Sequence, residues 1–219
     1  ANDVELMRAV LQDPLGVPEQ NIHVLAGWPE EEQRRPTYEN IVRHLDRLAG
    51  AVVQGDHVIF LFAGHGSQTL DLDDDERDKR DECMLPADTG QWDAATQRVK
   101  NVICDDEMRL KLAALRDAGA SVLAIFDCCH SGTILRGVPG EEVIETRSRK
   151  LSPEHLGIPE ESLLPPMRGV DVGAGPSASR GIAAIYAARS EETAPELRLP
   201  HGWARLTRRQ YGLCTYSIA

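Results

Sequence analysis

Two short segments carry side chains that could do covalent chemistry. Ala63-Gly64-His65-Gly66-Ser67 presents an imidazole between glycines, and Asp127-Cys128-Cys129-His130-Ser131-Gly132 presents thiols followed by another glycine. A thiol of ordinary pKa, about 8.5, becomes a good nucleophile when a nearby histidine takes its proton, so these residue types point to nucleophilic catalysis. Gly66 and Gly132 leave room for backbone N–H groups to approach a reacting carbonyl, and the amide beside the nucleophile is a natural oxyanion donor. Cys129 is favoured over Cys128 because the residue furthest past a strand end is freed from the sheet. Two other readings compete. Cys128 and Cys129 could be buried core thiols beside a turn histidine, but core thiols need no glycine-lined approach. Cys128, Cys129 and His130 could hold a metal, but adjacent residues do not easily reach one ion.

Stepping outward, both segments follow apolar runs that read as buried strands, His57 to Phe62 and Ser121 to Phe126, with a third run from Gly181 to Ala188 and a weaker one from Ile22 to Leu25. Helical spacing lies between them. Ile41, Leu45 and Leu48 form one stripe, begun by Thr37 and stopped by Gly50; Met108, Leu112 and Leu115 form another, begun by Asp105 and stopped by Gly119. Strand and helix alternate, which implies crossover units, a mainly parallel sheet and an α/β architecture. In such a sheet the carboxyl ends of the strands form the ligand-binding edge, so a helix over 105–118 would bring His65 and Cys129 to the same place. Two stretches break the pattern: Asp71 to Glu82, read as a solvated charged loop, and Gly137 to Arg180, read as a long mobile connection. The chain therefore divides into a catalytic region over 1–136, a connection over 137–180 and a second part of the same domain over 181–219.

Composition limits the partners. The 219 residues carry 35 acidic and 24 basic side chains, a formal net charge of -11. Such a surface repels phosphate backbones, which argues against nucleic acid and favours basic peptides or metal cations. The longest apolar run, Ile182 to Ala188, is far too short for the roughly 20 residues of a membrane span. Five cysteines without a Cys-x-x-Cys spacing fit a reducing compartment better than a disulfide framework. With no signal-peptide pattern visible, the expectation is a cytoplasmic monomer.

The segments FLFAGHGSQ, DECMLPAD, NVICDDEM and AIFDCCHSGT resemble a metacaspase, a member of the caspase-like cysteine peptidase clan. The likeness runs from Asn2-Asp3-Val4 to the stretch from Gly212 to Ser217 and is similar to a bacterial or type I-like member trimmed at both ends, the final strand being expected over Tyr211 to Ser217. It implies a caspase-like fold, His65 as general base, Cys129 as nucleophile, and the Gly66 and Cys129 amides as oxyanion hole. It also implies cleavage after Arg or Lys, with Asp3 and Asp127 as the acidic S1 pocket. A carboxylate pair suits a guanidinium, which it can hold by charge-assisted hydrogen bonds. Ala63 departs from the family, standing where a serine is common.

Many relatives are calcium-activated, and by resemblance Asp88, Asp105 and Asp106 would be ligands, although Arg136 replaces an aspartate of the calcium-dependent members. Asp105 and Asp106 have a simpler explanation as first-turn acids of a helix. Self-cleavage is expected between Arg136 and Gly181, above all within Arg147 to Lys150, where three of four residues are basic. The alternative from another class is a catalytically silent interaction module that keeps the fold.

Overall fold

The computed structural model describes residues 2–71, 80–128, 147–163, 181–188, 194–199 and 209–219. Its centre is a three-stranded parallel sheet of β1 (His57–Ala63), β7 (Ser121–Asp127) and β9 (Ile182–Tyr186), with β7 in the middle. These are the three strong apolar runs. The weaker run over 22–25 forms no strand, because nothing pairs with it among the described residues.

Helices α2 (Tyr38–Ala51) and α3 (Asp105–Asp117) pack on the sheet through the two expected stripes. Ile41, Leu45, Met108, Leu112 and Leu115 meet Val58, Val122, Ala124 and Phe126 in one apolar core. The Thr37 side chain accepts from the Asn40 N–H, satisfying one of the unpaired donors at the helix start. A second, Tyr38 N–H, is taken by the Asp88 carboxylate at 2.8 Å. Helix α2 runs one residue past Gly50, since a glycine with ordinary helical dihedrals weakens a helix without ending it. Gly119 does terminate its helix: its φ is +108°, and a Cβ there would lie 2.6 Å from Gln54 Cα.

Between β1 and α3 the chain builds a second, antiparallel sheet from β2 (His65–Leu70), β3 (Arg80–Leu85) and β6 (Ile103–Cys104), with a small hairpin of β4 (Trp92–Asp93) and β5 (Arg98–Val99). The end of the expected charged loop, residues 80–82, is thus strand. The connection read as mobile is folded over 147–163. It holds β8 (Arg147–Ser148) and two short 3-10 helices, Pro153–Leu156 and Glu160–Ser162. Strand β8 pairs antiparallel with β10 (Pro195–Leu199), which pairs with β11 (Arg209–Gly212). The expected final strand ends at Gly212 and continues as α4 (Leu213–Ile218). Helix α1 (Asn2–Gln12) buries Asp3 and Met7.

Candidate active site

Strands β1 and β7 end together. Ala63 is in register with Asp127, and the Gly64 N–H donates to the Asp127 carbonyl at 3.3 Å. The chain then turns at Gly64 and enters β2 at His65, whose position is exposed while the four residues after it are buried. His65 is therefore two residues past the paired position on one strand, as Cys129 is on the other. Cys129 itself lies outside the described residues, as do His130, Gly132 and Arg136.

The described cysteines are poor nucleophiles. Cys128 is 1% exposed. Burial pushes the thiols of Cys83 and Cys214 up, and that of Cys104 to about 12, so each stays protonated near neutrality. None of these residues forms a disulfide.

Asp3 and Asp127 come together around a guanidinium supplied by the chain itself. Arg149 Nη2 donates to Asp3 Oδ2 at 2.5 Å, and Arg149 Nη1 donates to the Asp127 carbonyl at 2.8 Å and lies 3.4 Å from its Oδ1. Glu196 is a third acid, accepting from Arg149 Nε at 2.9 Å. Arg149 is only 2% exposed. Burial alone would lower its pKa; the Asp127 and Asp3 charges outweigh that effect and raise it above the ordinary arginine value.

Both carboxylates are fixed from the far side by the C-terminal elements. Asp3 Oδ1 accepts from the Gly212 N–H at 2.8 Å, and Asp127 Oδ2 accepts from both the N–H and the hydroxyl of Thr215, at 2.8 and 2.5 Å. Asp127 Oδ1 is buried without a hydrogen bond. Gly212 has no space for a side chain: a Cβ would lie 2.2 Å from Asp127 Oδ2 and 2.7 Å from Arg149 Cζ. The glycine thus lets the backbone close directly over the ion pair.

The backbone around Arg149 is held as well. Its N–H donates to the Ala194 carbonyl at 3.3 Å, and its own carbonyl accepts from the Gly66 N–H at 3.0 Å. The Leu151 N–H returns to the Gly66 carbonyl at 3.0 Å, so Lys150 forms a parallel bridge with Gly66. Arg149 thus has its guanidinium among three carboxylates and its carbonyl on the amide next to His65.

The three acids expected to bind calcium are not gathered in this way. Asp88 accepts from Tyr38 N–H and from Asn101 Nδ2, both at 2.8 Å, and so joins a helix start to a loop. Asp106 pairs with Arg109 one turn along α3. Among the described residues no group of three His, Cys, Asp or Glu side chains could hold a metal ion. Asp88 and Asp106 thus each have a partner within the chain, and Asp105 opens helix α3.

Sequence reasoning missed Arg149 as an occupant, Glu196 as the third acid, and Gly212 and Thr215 as supports. The run Arg147-Ser148-Arg149-Lys150 was the available signal, but it distinguishes neither which arginine is buried nor that one is.

The chain is 36% identical over 134 residues to Metacaspase-1A of Aspergillus oryzae, covering 61% of this chain and 30% of that protein. It is 35% identical to Metacaspase-1 of Sclerotinia sclerotiorum, over 61% of this chain and 29% of the relative. The matched stretch thus spans under a third of these relatives. A crystal structure of a Geobacter sulfurreducens protein matches 57% of this chain and 40% of its own at 25% identity, with a TM-score of 0.39, too low to bear on fold or function. A family model described as "Metacaspase, peptidase C14 domain" matches residues 1–137. The chain belongs to the metacaspase family of cysteine-type peptidases.

Proposed function

We propose that the chain is a cysteine endopeptidase that cuts after arginine or lysine, with Cys129 as nucleophile and His65 as base, and that it cuts itself after Arg149. The observation that carries this reading is the pose of Arg149: three carboxylates on the guanidinium and the Gly66 amide on the carbonyl. In the reaction the Cys129 thiol gives its proton to His65, and the thiolate sulfur adds to the Arg149 carbonyl carbon. Negative charge develops on the oxygen that the Gly66 N–H already faces, where a fixed donor stabilises the transition state without reorganisation. His65 then protonates the Lys150 nitrogen as the peptide C–N bond breaks. Water, deprotonated by His65, hydrolyses the thioester and restores the thiol.

Specificity follows from charge. A planar guanidinium satisfies several carboxylates at once, lysine satisfies them as a point charge, and an acidic side chain would be repelled. Until the segment leaves, Arg149 also excludes other substrates.

The near-complete burial of Arg149 favours a second reading, in which the ion cluster is permanent and the chain is a silent interaction module. Incubating the protein beside a Cys129→Ala variant and sequencing the new termini separates the two. The proposal expects a fragment beginning at Lys150 in the first sample only. Intact chains in both samples, together with no turnover of added arginine peptides by an Arg149→Gln variant, would establish the module.

A further inference from the structure

The residues that follow Arg149 help to line a cleft. Leu85, Pro86, Ala87, Thr89 and Gln91 line one side of a cavity of about 270 Å³ that begins at His65, and Leu151 and Leu156 reach it from the connection. Leu85 is the register partner of His65. Beneath the cleft is a small apolar cluster separate from the main core. Val99, Leu156 and Ile158 are its buried members, and Leu85, Trp92, Val102 and Leu151 pack against it.

The backbone enters this cleft in an ordered way. Gly66 holds Arg149 through its N–H and Leu151 through its carbonyl. Lys150 is the residue between, half-buried at the bridge. Leu151 is thus the first side chain after the arginine to meet an apolar surface.

From this arrangement, and resting on the reading of Arg149 as the residue before the cut, we infer that the cleft is a leaving-side subsite. It selects an apolar, leucine-sized side chain at the second position after the cut. The sheet of β2, β3 and β6 would then serve both sides of the reaction, carrying His65 and Gly66 at the scissile bond and Leu85 under the departing chain. The selection is made by burial: leucine leaves water on entering the cleft, glycine brings no apolar surface, and an aspartate would lose hydration against the apolar wall of Leu85, Pro86, Ala87 and Leu156.

The test uses the full chain after its self-cleavage and internally quenched peptides built on its own Ser148-to-Ser152 sequence, with the lysine replaced by alanine so that arginine is the one basic residue, and the next residue changed from leucine to methionine, glycine or aspartate. A parallel set replaces arginine by glutamine. The expected result is cleavage that requires arginine and is about ten-fold or more faster, as kcat/KM, for leucine and methionine than for glycine and aspartate. In a Leu85→Ala variant the leucine-over-glycine preference should fall to about three-fold or less, while the arginine requirement stays. Equal turnover of the leucine and aspartate peptides, with arginine still required, would overturn the subsite and leave the reading of Arg149 standing. Cleavage that ignores arginine, or no cleavage of any peptide, would overturn both.

Discussion

The main core and the Arg149 cage are both nearly dry, yet they are built on opposite principles. The core joins α2, α3 and the central sheet through apolar side chains at regular spacing, held by burial that needs no particular partner. The cage joins residues 3, 127, 149 and 196, which come from four separate segments of the chain, and its members depend on each other. A buried charge without its partner costs far more than a missing methyl group, so the cage behaves as a unit. A cluster of that kind is suited to being opened: withdrawing one member changes the whole site.

The sharpest way to break this contrast is Arg149→Met. It leaves three carboxylates facing one another in a closed space and should cost about 3–5 kcal/mol of stability at neutral pH. Acidification should return part of that loss, because protonating an unpartnered carboxylate removes its charge. Urea titrations at pH 7 and pH 5 check both statements. If the variant unfolds at the parental urea concentration, the carboxylates are not confined.

Leu115→Ala probes the other region. The side chain is fully buried, and its truncation should cost about 3 kcal/mol through lost burial and a residual cavity. Here the loss should be the same at both pH values, which is the contrast with Arg149→Met. Thr37→Ala, at the start of α2, removes a single cap and should cost about 1 kcal/mol, read as a small shift of the urea midpoint.

The smallest effect is a pH dependence in the core layer itself. Burial first, and then the neighbouring His23, lowers the His44 pKa below its ordinary 6.5. The unfolded chain therefore binds this proton more readily than the folded one, and stability falls as pH drops through and below 6.5. His44→Gln should flatten that part of the stability curve. An unchanged slope between pH 7 and pH 5.5 would assign it to other groups.

The same contrast explains what could be read from the chain. Ile41, Leu45, Met108 and Leu112 announce their faces because the helix period repeats locally. The runs ending at Ala63 and Asp127 announce strands because they are apolar throughout, and the expected edge follows from them. Strand β2 was harder to see, since it buries Ser67, Gln68 and Thr69, polar residues that ordinarily mark a loop. The segment 147–163 was missed for a related reason. Its order comes from Arg149 reaching Asp3, 146 positions away, and from Leu156 and Ile158 meeting Val99. No local pattern encodes a distant counter-charge. Asp3 and Asp127 were found by resemblance, Glu196 was not, and only the fold shows that all three face one guanidinium.

The antiparallel pairing of β8 with β10 has a kinetic meaning. It makes the segment before Lys150 a strand of the same molecule that would cut it, so the event is unimolecular. A tethered segment has an effective concentration on the order of millimolar or above, and a docked strand exceeds that of a flexible one. Self-cleavage should therefore keep the same half-time on hundred-fold dilution, and an added arginine peptide at micromolar concentration should barely slow it. After the cut Arg149 is tethered on one side instead of two, so the same peptide competes better, but only as its concentration approaches that of the remaining tether. A single break in the backbone would thus alter the competition for the site without altering one contact inside it.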